Sequence, residues 1–213
     1  MAIPEEKPPI PDTMPVMVLQ GATLFPHGLL PLCIFEHRYR DMLVHALQTD
    51  RMFCIGNVLP GVDPETHPDP VHHLTTAGLI RACVTHDNGT SHLMLAGMQR
   101  VEIVGWEELE PFRIARVVPQ ACFQEDEEEV SEIALEVIDL CELLTRESDI
   151  GVSSDLSGHL RGIKCPATIS DVVAQNFVTD SVLRQQLLET LDVRKRLEFL
   201  VPCLSMMISG GGK

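Results

Sequence analysis

Apolar and polar positions alternate in short bursts through the first 120 residues, and give way to longer stripes beyond them. Period-two alternation marks a strand with one buried face, whereas apolar residues at i, i+3, i+4 and i+7 mark an amphipathic helix. Met14 to Leu19 predicts a strand, Gln20 to Gly28 a loop holding Phe25 and Pro26, and Leu29 to Phe35 a second strand. Pro31 inside that run points to an edge or irregular strand, because proline donates no ladder hydrogen bond. Glu36 to Gln48 predicts a helix, with Tyr39, Met42, Leu43, Ala46 and Leu47 on one stripe. Strand character returns over Met52 to Leu59. Residues 60–70 then hold four prolines and a glycine, which is a loop.

Thr76 to Thr85 and Thr90 to Ala96 flank Asp87-Asn88-Gly89, a strong hairpin signal because Asn and Gly both tolerate positive φ. Arg100 to Val104 and Phe112 to Val118 supply two more strands, with an acidic loop from Trp106 to Pro111 between them. The text changes at Glu125 to Glu129, an acidic run suited to the positive end of a helix dipole. Behind it Val130, Ile133, Ala134, Val137, Ile138, Cys141 and Leu144 form a helical stripe. Glycines and serines from Gly151 to Gly162 break the pattern. Helical spacing resumes with Ile169, Val172, Val173 and Phe177, and Asp180 is placed to cap the next helix, carrying Leu183, Leu187 and Leu191. A last helix uses Val193, Leu197, Leu200 and Leu204, with a kink expected at Pro202.

The organisation read from this pattern is a flexible lead-in over 1–13, a β-rich unit over 14–122, a helical bundle over 123–208 and a flexible tail over 209–213. The fold class is α+β. Composition changes that picture in two ways. Hydrophobic residues make up 45% but aromatic residues only 4%, so the core must be aliphatic. The formal net charge is -15, with 31 acidic against 16 basic residues, which disfavours nucleic acid and anionic membranes as partners. Seven cysteines without a C-x-x-C spacing read as reduced, buried thiols. The chain shows no signal peptide and no apolar run near the roughly 20 residues of a membrane span, so a cytoplasmic protein is expected.

Leu24-Phe25-Pro26, followed by Leu30 through Met42 with Phe35-Glu36-His37-Arg38-Tyr39 at its centre, resembles the opening signature of the Lon protease N-terminal domain. Gly97-Met98-Gln99-Arg100-Val101 is similar to that family's G-x-x-R-F strand, with Val101 in place of the aromatic. Pro111 to Ala115, Gln185 to Glu189 and Arg196-Leu197 resemble further family segments, so the likeness spans about residues 14 to 204. It implies a PUA-like β pseudo-barrel with one early helix, then a helical bundle. It also implies a non-catalytic module that binds unfolded or degradation-prone polypeptides, with no cofactor, and it does not specify an oligomeric state.

Within the opening motif, Phe25, Phe35 and Tyr39 are expected to bury large apolar area, and Glu36 to cap the helix or pair with an arginine such as Arg100. Arg38 belongs to the same structural group, as does Gly97. The loop residues Phe25, Pro26, Leu29 and Leu30 are the candidates for contact with a polypeptide, by an apolar groove or by strand addition. None of the lysines, Lys7, Lys164, Lys195 and Lys213, precedes Ser or Thr, so no Walker A loop exists here. Nothing around Lys164 resembles a Ser-Lys dyad, and no G-x-S-x-G elbow occurs. Two alternatives stand beside the binding module. One is RNA binding, which PUA-like barrels also perform. The other is a metal-dependent enzyme using His67, His72 and His73 beside Asp63, Glu65 and Asp69.

Overall fold

The computed structural model describes residues 8–124, 126–147 and 154–210, divided into two compact units at Gln120/Ala121. The expected lead-in up to residue 7, the start of the glycine- and serine-rich stretch, and the tail from 211 lie outside the described residues. The protein is α+β, with six strands and six helices among the described residues.

In the first unit, β1 (Thr13–Leu19) pairs parallel with β3 (Met52–Asn57) and antiparallel with β6 (Arg113–Pro119). Strand β4 (Leu74–Thr85) joins β3 to β5 (Ser91–Glu108), and β5 reaches round to β6, so five strands close into a ring. The sixth, β2 (Leu29–Ile34), lies on the outer side of β5 and forms the edge of the sheet. Pro31 therefore sits where a missing N–H costs little.

Period-two alternation splits the core of this unit into two. Met14 and Val16 of β1 and Met52 and Cys54 of β3 point into the ring with Val101, Ile103, Ala115 and Val117. Their neighbours Met17, Phe53 and Ile55 point the other way, against helix α1 (His37–Gln48), Ile34, Leu93 and Leu95. Every residue of β3 is buried, since both its faces carry a core. Tyr39, Met42, Leu43 and Ala46 are the buried stripe of α1, as its sequence spacing requires.

Residues 91–108 read as two strands and a loop, yet they form one 18-residue strand. Register shifts explain how. Met98 is extra against Ala77/Gly78, and shifts on the β6 side add Val104 and Glu107, so β5 bends instead of stopping. Gly97 is no breaker. A Cβ there would lie 2.0 Å from the carbonyl oxygen of Phe25, because His27 donates its N–H to Gly97 (2.9 Å) and Gly97 donates to Gly28 (2.8 Å). The hairpin at Asp87-Asn88-Gly89 forms as expected, with Gly89 at φ +80 and its N–H donating to His86.

The second unit contains α2 (Glu127–Glu147), α3 (Ser154–Gly162), α4 (Pro166–Phe177), α5 (Ser181–Glu189) and α6 (Val193–Gly210). The glycine- and serine-rich stretch was expected to break helical structure, but from Ser154 onward it is helical. Leu160 anchors that helix by burial, which outweighs a weak propensity. Asp180 caps α5 by accepting from the N–H groups of Val182 and Leu183, both at 2.9 Å. Helix α6 runs through Pro202 without interruption. Its buried Arg196 is the polar centre of the unit: it donates to Ser170 (2.8 Å) and the Thr190 carbonyl (2.8 Å), and lies 3.5 Å from Asp171.

Two stability measurements follow. Gly97→Ala should cost about 3 kcal/mol or more, because backbone rather than a flexible side chain must give way; Gly158→Ala, with open space around it, should be neutral or stabilising by up to about 1 kcal/mol. Urea unfolding of both variants checks the contrast. Arg196→Ala should cost about 3–5 kcal/mol, since it strips the cation from a buried acidic and polar cluster; an unchanged urea midpoint would contradict this account.

Candidate functional site

The opening motif divides into residues that build and residues that face outward. Phe25 and Pro26, expected as contact residues, are buried, Phe25 completely. Leu30 is half-buried against the α1-side core. Leu29 is 56% exposed. Phe35, expected in the core beside Phe25 and Tyr39, is 61% exposed. The cause is register: Leu30, Leu32 and Ile34 turn inward, so Leu29, Pro31, Cys33 and Phe35 turn outward.

Tyr39 is buried, with its hydroxyl donating to the Val18 carbonyl at 2.8 Å, and burial pushes the phenol above its ordinary pKa. Glu36 occupies the helix N-cap position but makes no side-chain cap hydrogen bond. Arg38, two residues on, holds its carboxylate at 2.9 Å and also pairs with Glu65 at 2.9 Å, its guanidinium lying 4.9 Å from the Tyr39 ring centre. Arg100 is buried in the β-rich unit at 2% exposure, and its carbonyl accepts from the N–H of Gln120. These residues therefore fix the strand-to-helix junction and the sheet behind it.

What remains outward is an apolar surface across three strands. The register places Cys33, His92 and Val84 in one row and Pro31, Met94 and Ala82 in the next. Leu29 lies beyond one end of these rows and Phe35 beyond the other. Cys33, Val84, Ala82 and Pro31 are exposed and Met94 is half-exposed. The opposite faces of the same strands, through Ile34, Leu93, Leu95 and Ile80, are core. A strand apolar on both faces, at an edge and carrying a proline, is the sequence signal for such a surface. Cys33 and Cys165 are exposed rather than buried, whereas Cys54 and Cys141 are buried and have raised pKa values, Cys141 to about 12.

The histidine loop is organised around other contacts. Asp69 accepts from His73 (2.6 Å) and from the Trp106 indole N–H (3.0 Å), while His67 Nδ1 accepts from the Asp69 N–H (3.1 Å). Arg113 donates to the carbonyls of Pro68, His67 and Pro64 and lies 5.3 Å from the Trp106 ring centre. His72 lies two residues before β4 and uses its N–H on the Asn57 carbonyl. Among the described residues, no group of three or more His, Cys, Asp or Glu side chains is placed to hold a metal ion. The expected triad of His67, His72 and His73 is therefore not assembled among the described residues: His67 and His73 are engaged in clasping the loop through Asp69. Likewise, no helix among the described residues is long and apolar enough to cross a membrane.

A closed ring of strands with one flanking helix, a doubly apolar edge strand and a separate helical unit defines a two-unit α+β protein. A family model of the ATP-dependent protease La (LON) substrate-binding domain matches residues 13–205, and the chain belongs to that family. It is 25% identical over 193 residues to the Lon protease of Dictyoglomus thermophilum, and 26% identical over 200 residues to Lon protease 2 of Herpetosiphon aurantiacus. Those alignments cover 89% and 92% of this chain but 24% of each relative, so the chain spans about a quarter of the curated relatives it matches. The fold is that of the N terminal domain of Mycobacterium avium complex Lon protease (TM-score 0.71, 17% identity, 91% of this chain and 98% of that one). It is likewise similar to a Lon N-terminal domain protein from Xanthomonas campestris (TM-score 0.64, 20% identity, 89% and 97%).

The loop clasp gives a pH prediction. Burial alone would raise the Asp69 pKa, but hydrogen bonds from His73 and Trp106 outweigh it and hold the carboxyl below its ordinary value. A depressed folded pKa means that the clasp contributes fully above the ordinary aspartate value of about 3.9 and is lost as pH falls through the lower folded value. Trp106 is the single tryptophan, so its fluorescence should report an acid transition below about pH 4. Asp69→Asn should remove that transition; its persistence would assign it elsewhere.

Proposed function

We propose that the chain is a polypeptide-recognition module, doing no chemistry itself, that binds unfolded or degradation-prone protein segments on the outward face of β2, β5 and β4. Membership in a substrate-binding family supports a recognition role, and the relatives' name as proteases points to polypeptides as what is recognised. The observation that carries the reading is the exposed apolar surface of Leu29, Pro31, Cys33, Phe35, Ala82, Val84 and Met94. Contiguous apolar surface of this kind marks an interaction site more often than scattered single residues do. Extended apolar segments of an unfolded chain fit it because neither partner must unfold further to bring apolar side chains together.

The face, rather than the free edge of β2, is the docking surface. Pro31 interrupts the row of N–H groups that strand addition would need. Phe25 and Pro26 hold the face in place from behind and take no part in contact. We place the module in the cytoplasm, where such segments arise during synthesis and damage.

The test is fluorescence polarisation with labelled, reduced casein, an unfolded protein. Binding should occur with Kd on the order of tens of micromolar. Phe35→Asp should weaken it about tenfold or more, equivalent to about 1.4 kcal/mol, with the thermal midpoint unchanged because Phe35 is mostly exposed. If casein does not bind, or if Phe35→Asp binds it as well as the original chain does, the reading is wrong.

A further inference from the structure

We propose that this face selects apolar segments punctuated by carboxylates, with Arg81 supplying the pairing charge; the inference rests on the polypeptide-binding reading and names its substrate class. The first ground is the bulge in β4. Ile80 pairs with Leu95 and Ala82 with Met94, so Arg81 is the extra residue opposite Met94. In a bulge of this kind two successive residues oppose one on the partner strand, and side chains that would alternate emerge together. Arg81 and Ala82 are both exposed, whereas Ile80 is core, which puts Arg81 on the same outward face as Ala82, next to the row of Ala82, Met94 and Pro31.

The second ground is charge. The chain holds 31 acidic residues in 213, yet none lies in β2, in β4, or in β5 from Ser91 to Val101. The carboxylates nearest in sequence stand at the margins and two of them are engaged: that of Glu36 is held by Arg38, that of Glu102 accepts from the Gln120 side chain, and Asp87 lies in the hairpin turn. The polar side chains on the face are Arg81 and His92, with His86 hydrogen-bonded to His92 at 2.8 Å. Arg81 has no hydrogen bond or ion pair among the described residues, whereas Arg38, Arg113 and Arg116 of the same unit are engaged. A carboxylate arriving between apolar client residues would meet a guanidinium without having to displace an existing partner. Client side chains packed around it would exclude water and strengthen the pair.

The opposing effect is the net charge of -15, which repels an acidic segment at long range. At 0.15 M salt the screening length is about 8 Å. The diffuse repulsion is then largely removed, while a contact pair within about 4 Å survives. The local charge therefore decides preference at that ionic strength.

The experiment uses three labelled 12-residue peptides that share the same apolar positions and carry Glu, Gln or Lys between them. Polarisation with the full chain at 0.15 M salt should give binding in the order Glu, Gln, Lys, with about fivefold separating each step, the span of one partly desolvated pair. Arg81→Gln should flatten the series and Arg81→Glu should invert it, with thermal midpoints confirming that both variants fold. A Gln peptide that binds and loses affinity with Phe35→Asp, in a series indifferent to charge or to Arg81, would overturn this inference and leave the polypeptide reading intact. Absence of binding by all three peptides would overturn both.

Discussion

The β-rich unit depends on one place where two stretches of backbone touch. The loop from Phe25 to Gly28 lies directly on Gly97, exchanging hydrogen bonds in both directions, and only a residue without a Cβ permits the approach. The contact seats Phe25 in the core and delivers the chain into β2 in register with β5. That register decides which of the residues from Leu29 to Phe35 face the core and which face solvent. A slip of one residue would exchange the two sets and turn the outward face into core. The geometry of the surface is thus determined behind it.

Much of the fold was legible from periodicity. The stripe of α1, the Asn88-Gly89 hairpin, the Asp180 cap and the acidic start of α2 all appeared where local rules put them. The misreadings have identifiable physical causes. Strand β5 was read as two strands and a loop because its bulges are set by pairing with β4 and β6, and the role of Gly97 within it is set by a loop some 70 residues earlier in the chain. Helix α3 was missed because serine and glycine have weak helical propensity, and the burial of Leu160 that compensates is a tertiary fact.

The site was less legible than the fold, and Phe35 shows why. In a run apolar on both faces, alternation says that two sides exist but not which one finds a partner. Size and hydrophobicity favoured Phe35 as core alongside Phe25 and Tyr39; Phe25 and Tyr39 are buried, and Phe35 faces outward. Arg81 was invisible to pattern reading because its orientation follows from a bulge, which is a property of pairing between strands. The histidine loop shows the converse. Residue types suited to a metal were present at 67, 72 and 73, but Asp69, Trp106 and Arg113 claim the loop for packing.

An apolar face beside the open edge of a sheet is also the arrangement from which fibrils grow, since each added strand offers a fresh edge to the next. Pro31 interrupts that sequence at its first step. It leaves the adhesive side chains of β2 in place and removes an amide that a recruited strand would need. A sheet built this way can keep an apolar face exposed without its edge becoming the template on which further strands assemble.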